Sequence, residues 1–462
     1  MTRPRTIRDP LWGNIHVEAD AAEILDAPQF QRLRRVKQLG FAHLVYPGGV
    51  HNRFLHALGV YHLVSRAISC LERDGHLAPL DGAELDELPV VRLGALLHDV
   101  GHYAFSHAVE ELGPKSIPGD HEEIATRFMA ADPIRRVLER YGPDAAARIG
   151  ALIRGRSGHP LQGLISGSLD LDKIDYLRRD ALFCGVPYGA VDVDRLLPAL
   201  AVAREGDGRP LELAVSEKGL SALETLLFSK YQMYRNVYWH HAVRAATLTF
   251  VRLVQTALDN GLLSPEDLAG PSDEELLSLI GRRIERSATH RGHDPASALG
   301  RAAKLLRALL DRRLPKRLVE LTGDQLPDRL SSWPSRRGDL VAALERRMAR
   351  EWGLPEGSVM LDYPSYPGML ELNLLLVRTD GTVRRLTTLG ERGLIDIPRL
   401  GRSLHHSARV LRIFSFEPSA PRDPGPVLAL IEASEEEVEA RLDTGVPLLA
   451  ARGKTRRQRR ER

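Results

Sequence analysis

A run of apolar residues ending in a His-Asp pair sets the terms for this chain. From Val90 through Leu97 the sequence has the period and composition of a buried helix, and it drives directly into His98-Asp99-Val-Gly-His102-Tyr-Ala-Phe-Ser-His107. Helix packing asks for no such residues. Burying imidazoles and a carboxylate costs on the order of several kcal/mol unless they are paired or bound to metal. On a helix, His98 and Asp99 project about 100° apart and His102 follows on the His98 side, so a cation over the groove between them is within reach of both. The spacing is that of a metal site.

The 462 residues allow one large helical domain with a smaller one, or two of ordinary size. We expect a mainly α fold: a helical core over 1–262 with a short β-hairpin, a smaller α+β region over 263–450, and a basic, disordered tail over 451–462. Cys70 and Cys184 are the only cysteines and form no CxxC, which argues against a disulfide framework or a thiolate zinc site and for a reducing compartment. The N-terminal MTRPRTIRDPLWGNIHV lacks a signal-peptide core, and no run approaches the ~20 apolar residues of a membrane span, so the expected location is the cytoplasm, with no membrane partner. The net charge of +3 balances 64 basic against 61 acidic residues, so global electrostatics decide nothing about an anionic partner.

Residues 1–20 read as extended, with turn signals at Asp9-Pro10 and Trp12-Gly13-Asn14. Asp20-Ala-Ala-Glu23 has the form of a capping box, and Pro28 suits the first turn of a helix carrying Phe30, Leu33, Val36 and Leu39 on one face. Arg32, Arg34, Arg35 and Lys37 share that segment; the plain reading of such a run is a solvated face. His51-Asn-Arg-Phe-Leu-His56 leads into a helix reaching Leu71, and helices follow from Asp120 and Pro133. Over Leu169–Leu177 carboxylates recur at Asp170, Asp172 and Asp175, close enough to repel unless cations divide them. A hairpin is expected near Leu200–Arg204 and Leu211–Val215, then one long helix from Leu220 to Leu258. Beyond residue 262, two or three Arg- and Leu-rich helices run to about Arg350. A β-prone stretch follows from Ser358 to Leu389, turning at Thr379-Asp-Gly-Thr382. The basic tail offers nucleic acid only nonspecific attraction.

Four groups suit one cation: His56, His98, Asp99 and a carboxylate from the Asp170/Asp172/Asp175 cluster. Mixed imidazole and carboxylate donors favour manganese, iron or zinc over calcium. Such an ion lowers the pKa of bound water towards ~7 and polarises a phosphoryl oxygen, both useful in phosphate-ester hydrolysis. His102, His107 and His121 could supply a proton, and Arg53, Lys173 and Lys230 could hold phosphate oxygens.

These residues resemble the HD phosphohydrolase superfamily. Gln29–Gly40, His51–Gly59, His98–His107 and Asp170–Tyr176 look like the deoxynucleoside triphosphate (dNTP) triphosphohydrolases, a branch with bacterial dGTPase-like members, over about residues 5–245. The resemblance implies metal ligands at His56, His98, Asp99 and Asp172, with magnesium accompanying the triphosphate. It implies that His107, supported by Glu110, protonates the 5′ oxygen, with His102 and His121 near the phosphates. Arg53, Lys173 and Tyr176 match substrate contacts, as do Gln38 and Leu39 beside sugar and base, Asp180 near the 3′ hydroxyl and Tyr238 beside the sugar. Lys230 stands where the family has an Arg, keeping the charge and losing the planar fork. Asp26, Gln31 and Arg34 match one guanine-nucleotide effector site, and Asp192, Arg195 and Lys218 a second, although Arg8 departs from the usual Asn; dGTP or GTP control and a tetramer follow from that match. Two rivals stand beside this reading: an HD phosphohydrolase acting on a monophosphate or signalling nucleotide, and a non-catalytic nucleotide- or nucleic-acid-binding HD protein.

Overall fold

The protein is described by a computed structural model over residues 3–291, 297–327, 333–335, 337–364, 372–386, 396–417 and 425–445, with 419, 423, 447 and 448. The expected basic tail lies outside the described residues, as do parts of the β-prone stretch. The chain opens with an antiparallel hairpin, β1 (Arg5–Asp9) and β2 (Gly13–Val17), turning where the Asp9-Pro10 and Trp12-Gly13 signals fall. Its apolar face, with Ile15 and Val17, joins the main core around the Arg53–Arg73 helix. Asn52 caps that helix by accepting from the Leu55 amide at 3.1 Å. By length and composition this helix alone, among the described residues, would pass for a membrane span, so the expectation that no run approaches one needs amending. Two thirds of it is buried inside the fold, and it carries Arg53 and His56 inward, as a core helix does.

The Leu88–Leu97 helix packs against it and ends at His98. Later come the Leu171–Cys184 helix, capped by Asp170, and the expected hairpin, β3 (Leu200–Ala203) with β4 (Glu212–Ser216). The C-terminal part returns to this hairpin: β7 (Leu375–Val377) pairs parallel with β4 and antiparallel with β8 (Val383–Arg385). A separate antiparallel sheet has β9 (Val410–Ser415) between β5 (Lys316–Thr322) and β6 (Val359–Asp362). The Gly338–Glu351 helix covers it. A second core joins the His241–Asp259 helix to the Asp273–Arg291 and Ala298–Leu310 helices and to Phe41 and Phe105.

Several expected elements differ. The first helix begins at Ala19 behind Glu18 and has no side-chain cap; Asp20 instead accepts from the Tyr141 hydroxyl at 2.6 Å and pairs with Arg140. The helix entered at Pro28 tightens at Arg32–Arg35 and leaves as extended chain at Val36, because its backbone pairs with the residues before the next helix: Gln38 N to His51 O at 3.0 Å and Arg53 N to Val36 O at 2.9 Å. The long helix from Leu220 is interrupted. A widened turn at Tyr234–Tyr238 follows Met233, and His240 caps a new helix at His241. Trp239 is buried there against Tyr234, which a straight helix would not permit. Strands β5 and β9 are additions to the sequence reading.

Candidate active site

The apolar helix delivers His98 to its own C-terminal cap, so His98 and Asp99 occupy a turn rather than consecutive helical positions. His102 accordingly does not stack on the His98 side. Its Nε2 lies 2.8 Å from Asp99 Oδ1, and its ring stacks on His121 with centroids 4.2 Å apart. The chain can turn this tightly because Gly101 lacks a Cβ; any side chain there would strike the His121 carbonyl and the Ala125 amide. Arg32, buried, holds the turn from behind by donating to the carbonyls of Val100 (3.0 Å) and His102 (2.7 Å). Asp273 accepts from the Phe105 and Lys37 amides, each at 3.0 Å, and so fixes Phe105 in a left-handed conformation (φ 49°). Phe105 in turn stacks on Phe41 with centroids 4.4 Å apart.

Four donor groups converge. His56 Nε2 lies 2.8 Å from Asp172 Oδ1, 3.3 Å from His98 Nε2 and 3.7 Å from Asp99 Oδ2; His98 Nε2 lies 3.4 Å from Asp99 Oδ1 and 3.6 Å from Asp172 Oδ1. Two ligands each ~2.1 Å from one ion stand ~3.0–3.4 Å apart at octahedral or tetrahedral angles, so the cluster has the dimensions of a coordination shell. The second shell agrees. His56 Nδ1 is tied to Asp175 at 2.8 Å and His98 Nδ1 to the Ala95 carbonyl at 2.8 Å, which aims both Nε2 atoms at the shared centre. Without a cation the acids load a proton onto His56: burial opposes it, but Asp172 and Asp175 outweigh burial and push its pKa to about 10. A divalent ion answers the same demand for positive charge. The His56, His98 and Asp99 donors all lie within 4.8 Å of one another, and this site can hold a divalent metal.

Asp175 is itself clamped by Arg179, which also reaches Asp9 at 2.8 Å, and by the Trp12 indole. Gly59 makes room for that pair; a Cβ there would collide with Asp175 and Arg179. Spacing alone left Asp175 among three candidate ligands, and the contribution of Asp9, Trp12 and Gly59 carries no sequence signal of its own. Arg32 and Asp273 were equally invisible as supports. Of the basic segment, Arg32 binds carbonyls, Arg35 and Lys37 pair with Glu275 and Glu274, and Arg34 lies 3.6 Å over the Phe54 ring. Arg32 and Lys37 thus turn to the protein, whereas Arg34 and Arg35 stay exposed on the solvated face.

The cluster opens into a cavity of about 540 Å³ lined by His56, Asp99 and Asp172 and by Arg53, His102, His107, Glu110, Tyr176, Asp180, Tyr238, Gln38 and Leu39. Two buried atoms among these, Arg53 Nε and Gln38 Oε1, have no partner in the protein. Arg53 Nη1 meets Asp99 at 2.7 Å. Burial, with the Arg53 charge, pushes His102 down to about 3, so its imidazole is neutral. Burial raises Glu110, but the neighbouring His107 and His121 imidazoles outweigh it and hold the carboxyl well below its usual range. His121 shows the opposite balance: burial lowers it, the Glu110 contact at 3.0 Å raises it more, and its pKa ends above 6.5. His107 is 73% exposed, 3.7 Å from Glu110. Asp180 accepts from the Tyr238 hydroxyl at 2.7 Å and touches His51 Nε2 at 2.7 Å. Lys173 Nζ bonds the Gly167 carbonyl (2.9 Å) and Asp170, and Lys230, 6.0 Å over the Tyr234 ring, is brought down to about 8 by burial and by Lys173. Elsewhere, Asp192 caps a short helix by accepting from the Arg195 amide, and Arg195 Nε donates to the Lys218 carbonyl at 3.1 Å, so those three lie together. Asp26 pairs with Arg5, and Arg34 donates to Gln31 at 2.9 Å.

Comparison with known proteins agrees with this geometry. The profile of the HD domain matches residues 53–180, which contain all four converging donors, and that of the HD associated region matches 191–392. An uncharacterised protein of Methanocaldococcus jannaschii is 29% identical over 91% of this chain and 80% of its own length. The deoxynucleoside triphosphate triphosphohydrolase SAMHD1 homologue of Dictyostelium discoideum is 27% identical over 69% of this chain, which spans 60% of that protein. A crystal structure of a hypothetical Aquifex aeolicus protein superposes with a TM-score of 0.63 at 26% identity, covering 89% of this chain and 96% of that one. With an HD domain that assembles the cation cluster and an HD-associated region behind it, the chain belongs to the HD-domain phosphohydrolases, on the branch similar to the dNTP triphosphohydrolases.

Proposed function

We propose that the protein is a metal-dependent dNTP triphosphohydrolase, cleaving a dNTP to the deoxynucleoside and inorganic triphosphate. The observation that carries this reading is the joining of the cation cluster, the buried and incompletely partnered Arg53 and the aromatic pair Tyr176 and Tyr238 in one cavity of about 540 Å³, large enough for a nucleotide. His56, His98, Asp99 and Asp172 would hold manganese, iron or zinc, with magnesium on the triphosphate. When bound, such an ion activates water and polarises the phosphoryl group.

The rest is work for the chain's own side chains. Arg53 offers its open Nε to a phosphate oxygen, and Lys173 and Lys230 add charge; an arriving phosphate also restores full protonation to Lys230. Water attacks the α-phosphorus, the bond to the 5′ oxygen breaks, and His107 gives that oxygen its proton with Glu110 behind it. Neutral His102 keeps its place between Asp99 and Ser106. Tyr238, fixed by Asp180, crowds the position of a 2′ hydroxyl and so disfavours ribonucleotides. Gln38 offers its orphaned carbonyl to a sugar or base donor. Activation by dGTP or GTP, through Asp26, Gln31 and Arg34 or through Asp192, Arg195 and Lys218, and assembly into a tetramer belong to the same reading.

The test is chromatography of products after incubating each dNTP, alone and with dGTP or GTP, with magnesium or manganese. Inorganic triphosphate and a deoxynucleoside are expected. Orthophosphate or pyrophosphate as the sole inorganic product would sink the assignment in favour of an HD phosphohydrolase with another substrate.

A further inference from the structure

Arg252 lines the active-site cavity and also a second, smaller cleft of about 100 Å³. This cleft lies where the end of the His241–Asp259 helix meets the Ala298–Leu310 and Gly338–Glu351 helices and the turn at Ser358. Its volume is several times what one water needs. Four cations line it, Arg252, Arg301, Lys304 and Arg346, against three carboxylates. Arg252 is bound to Glu345 by two hydrogen bonds, of 2.5 and 2.8 Å. Lys304 and Arg346 have looser carboxylate neighbours: Glu417 and Asp259 stand 3.9 and 3.8 Å away, beyond hydrogen-bonding distance.

Two buried polar atoms in the lining have no partner in the protein. Ser358 is 2% exposed and its hydroxyl is unmatched; Gln255 uses its amide nitrogen on Asp259 at 2.8 Å and leaves its carbonyl unmatched. A buried group left so has given up its water without a replacement, so each calls for a ligand atom. The hydroxyl and the cations suit an anion's oxygens, whereas the carbonyl can only accept and therefore asks for a donor. We propose that this cleft binds a phosphate monoester carrying hydroxyl groups, of the sugar-phosphate class, and that occupancy is felt in the active-site cavity through Arg252. The link is short: Glu345 also accepts from the Leu361 amide at 2.7 Å, and the next residue, Asp362, accepts from Arg244 at 2.9 Å; Leu361, Asp362 and Arg244 all line the active-site cavity.

Titration calorimetry of the full chain with ribose 5-phosphate and with inorganic phosphate tests the site. Ribose 5-phosphate should bind more tightly than phosphate, and salt should weaken both. Lys304→Ala with Arg346→Ala, positions 61% and 42% exposed, should weaken binding at least tenfold without moving the unfolding temperature. Ser358→Ala should weaken it about fivefold. Failure of both probes to bind at millimolar concentration overturns the proposal, and so does undiminished binding to the double variant, which would put the phosphate in the active-site cavity instead. The coupling rests on the proposed dNTP hydrolysis: ribose 5-phosphate should shift KM at least twofold in the wild type and not in the double variant, and an unmoved wild-type KM removes the coupling. Absence of any dNTP hydrolysis would instead refute the proposed function while the calorimetry still decides the site.

Discussion

Asp175 stands behind His56, where it fixes which imidazole nitrogen faces the cation cluster. Removing such an outer partner typically costs 10–100-fold in metal affinity although no ligand is lost. Asp175→Asn is therefore expected to lower manganese affinity by about that factor while Asp172→Asn, at the shared centre, removes tight binding altogether; calorimetric metal titration of the two variants separates them. The sequence made the Asp170/Asp172/Asp175 cluster conspicuous but not its division of labour, because that depends on how the Leu171–Cys184 helix is turned towards His56. Only the packed structure shows Asp170 as the helix cap, Asp172 facing inward and Asp175 held by Arg179. His121 and Glu110 add a pH dependence. The folded His121 pKa is raised, so its contribution to stability is fully present below the unfolded value of about 6.5 and is lost as pH rises through the folded value. Chemical denaturation of the metal-free protein between pH 6 and 9 should show wild-type stability falling relative to Glu110→Gln, which lacks the partner that raises His121. Parallel curves would remove the pair from the account.

At the scale of elements, the turn 98–107 is held by groups distant in sequence. Arg32 closes on its carbonyls from one side and Asp273, at the start of the Asp273–Arg291 helix, closes on the Phe105 amide from the other. The apolar run and the β3–β4 hairpin were readable, since each is decided by residues within a few positions. The bend after Arg35 and the widened turn at Tyr234–Tyr238 were not, because long-range pairing and aromatic packing override a helical period there. Asp273→Ala leaves two buried amides, those of Phe105 and Lys37, without an acceptor, so a loss of about 2–4 kcal/mol in urea denaturation is expected. Turnover should fall further than stability explains, since Phe105 and His107 share the released segment. An Asp273→Ala protein of wild-type turnover would show that the turn needs no outside support.

At the scale of the whole molecule, the two halves of the chain are bound together by their cores and by charge. The second core crosses residue 262, taking Phe250 and Leu253 from before it and Leu268, Ile280, Met360 and Phe414 from after. Strand β7 adds to the sheet begun by β4, and its own Leu376, with Leu372 and Leu374 just before it, enters the main core. Arg244 ties the Glu111 carboxylate, at 2.7 and 3.0 Å, to Asp362 of β6, at 2.9 Å. None of this was legible, since a parallel pairing across about 160 residues leaves no local trace and β7 is only three residues long. These junctions predict one cooperative unfolding transition rather than two. Trp12 and Trp239 report on the first half, Trp333 and Trp352 on the second, so Trp→Phe pairs that silence either half should give coincident denaturation curves. Arg244→Ala leaves the buried Asp362 with Arg412 alone, at 3.2 Å, so the loss should fall short of the about 3–5 kcal/mol of a fully broken buried pair. In that background the curves reported by the two tryptophan pairs should separate, with the second half melting first. Coincident curves in Arg244→Ala would mean that the shared apolar core alone makes the molecule one folding unit.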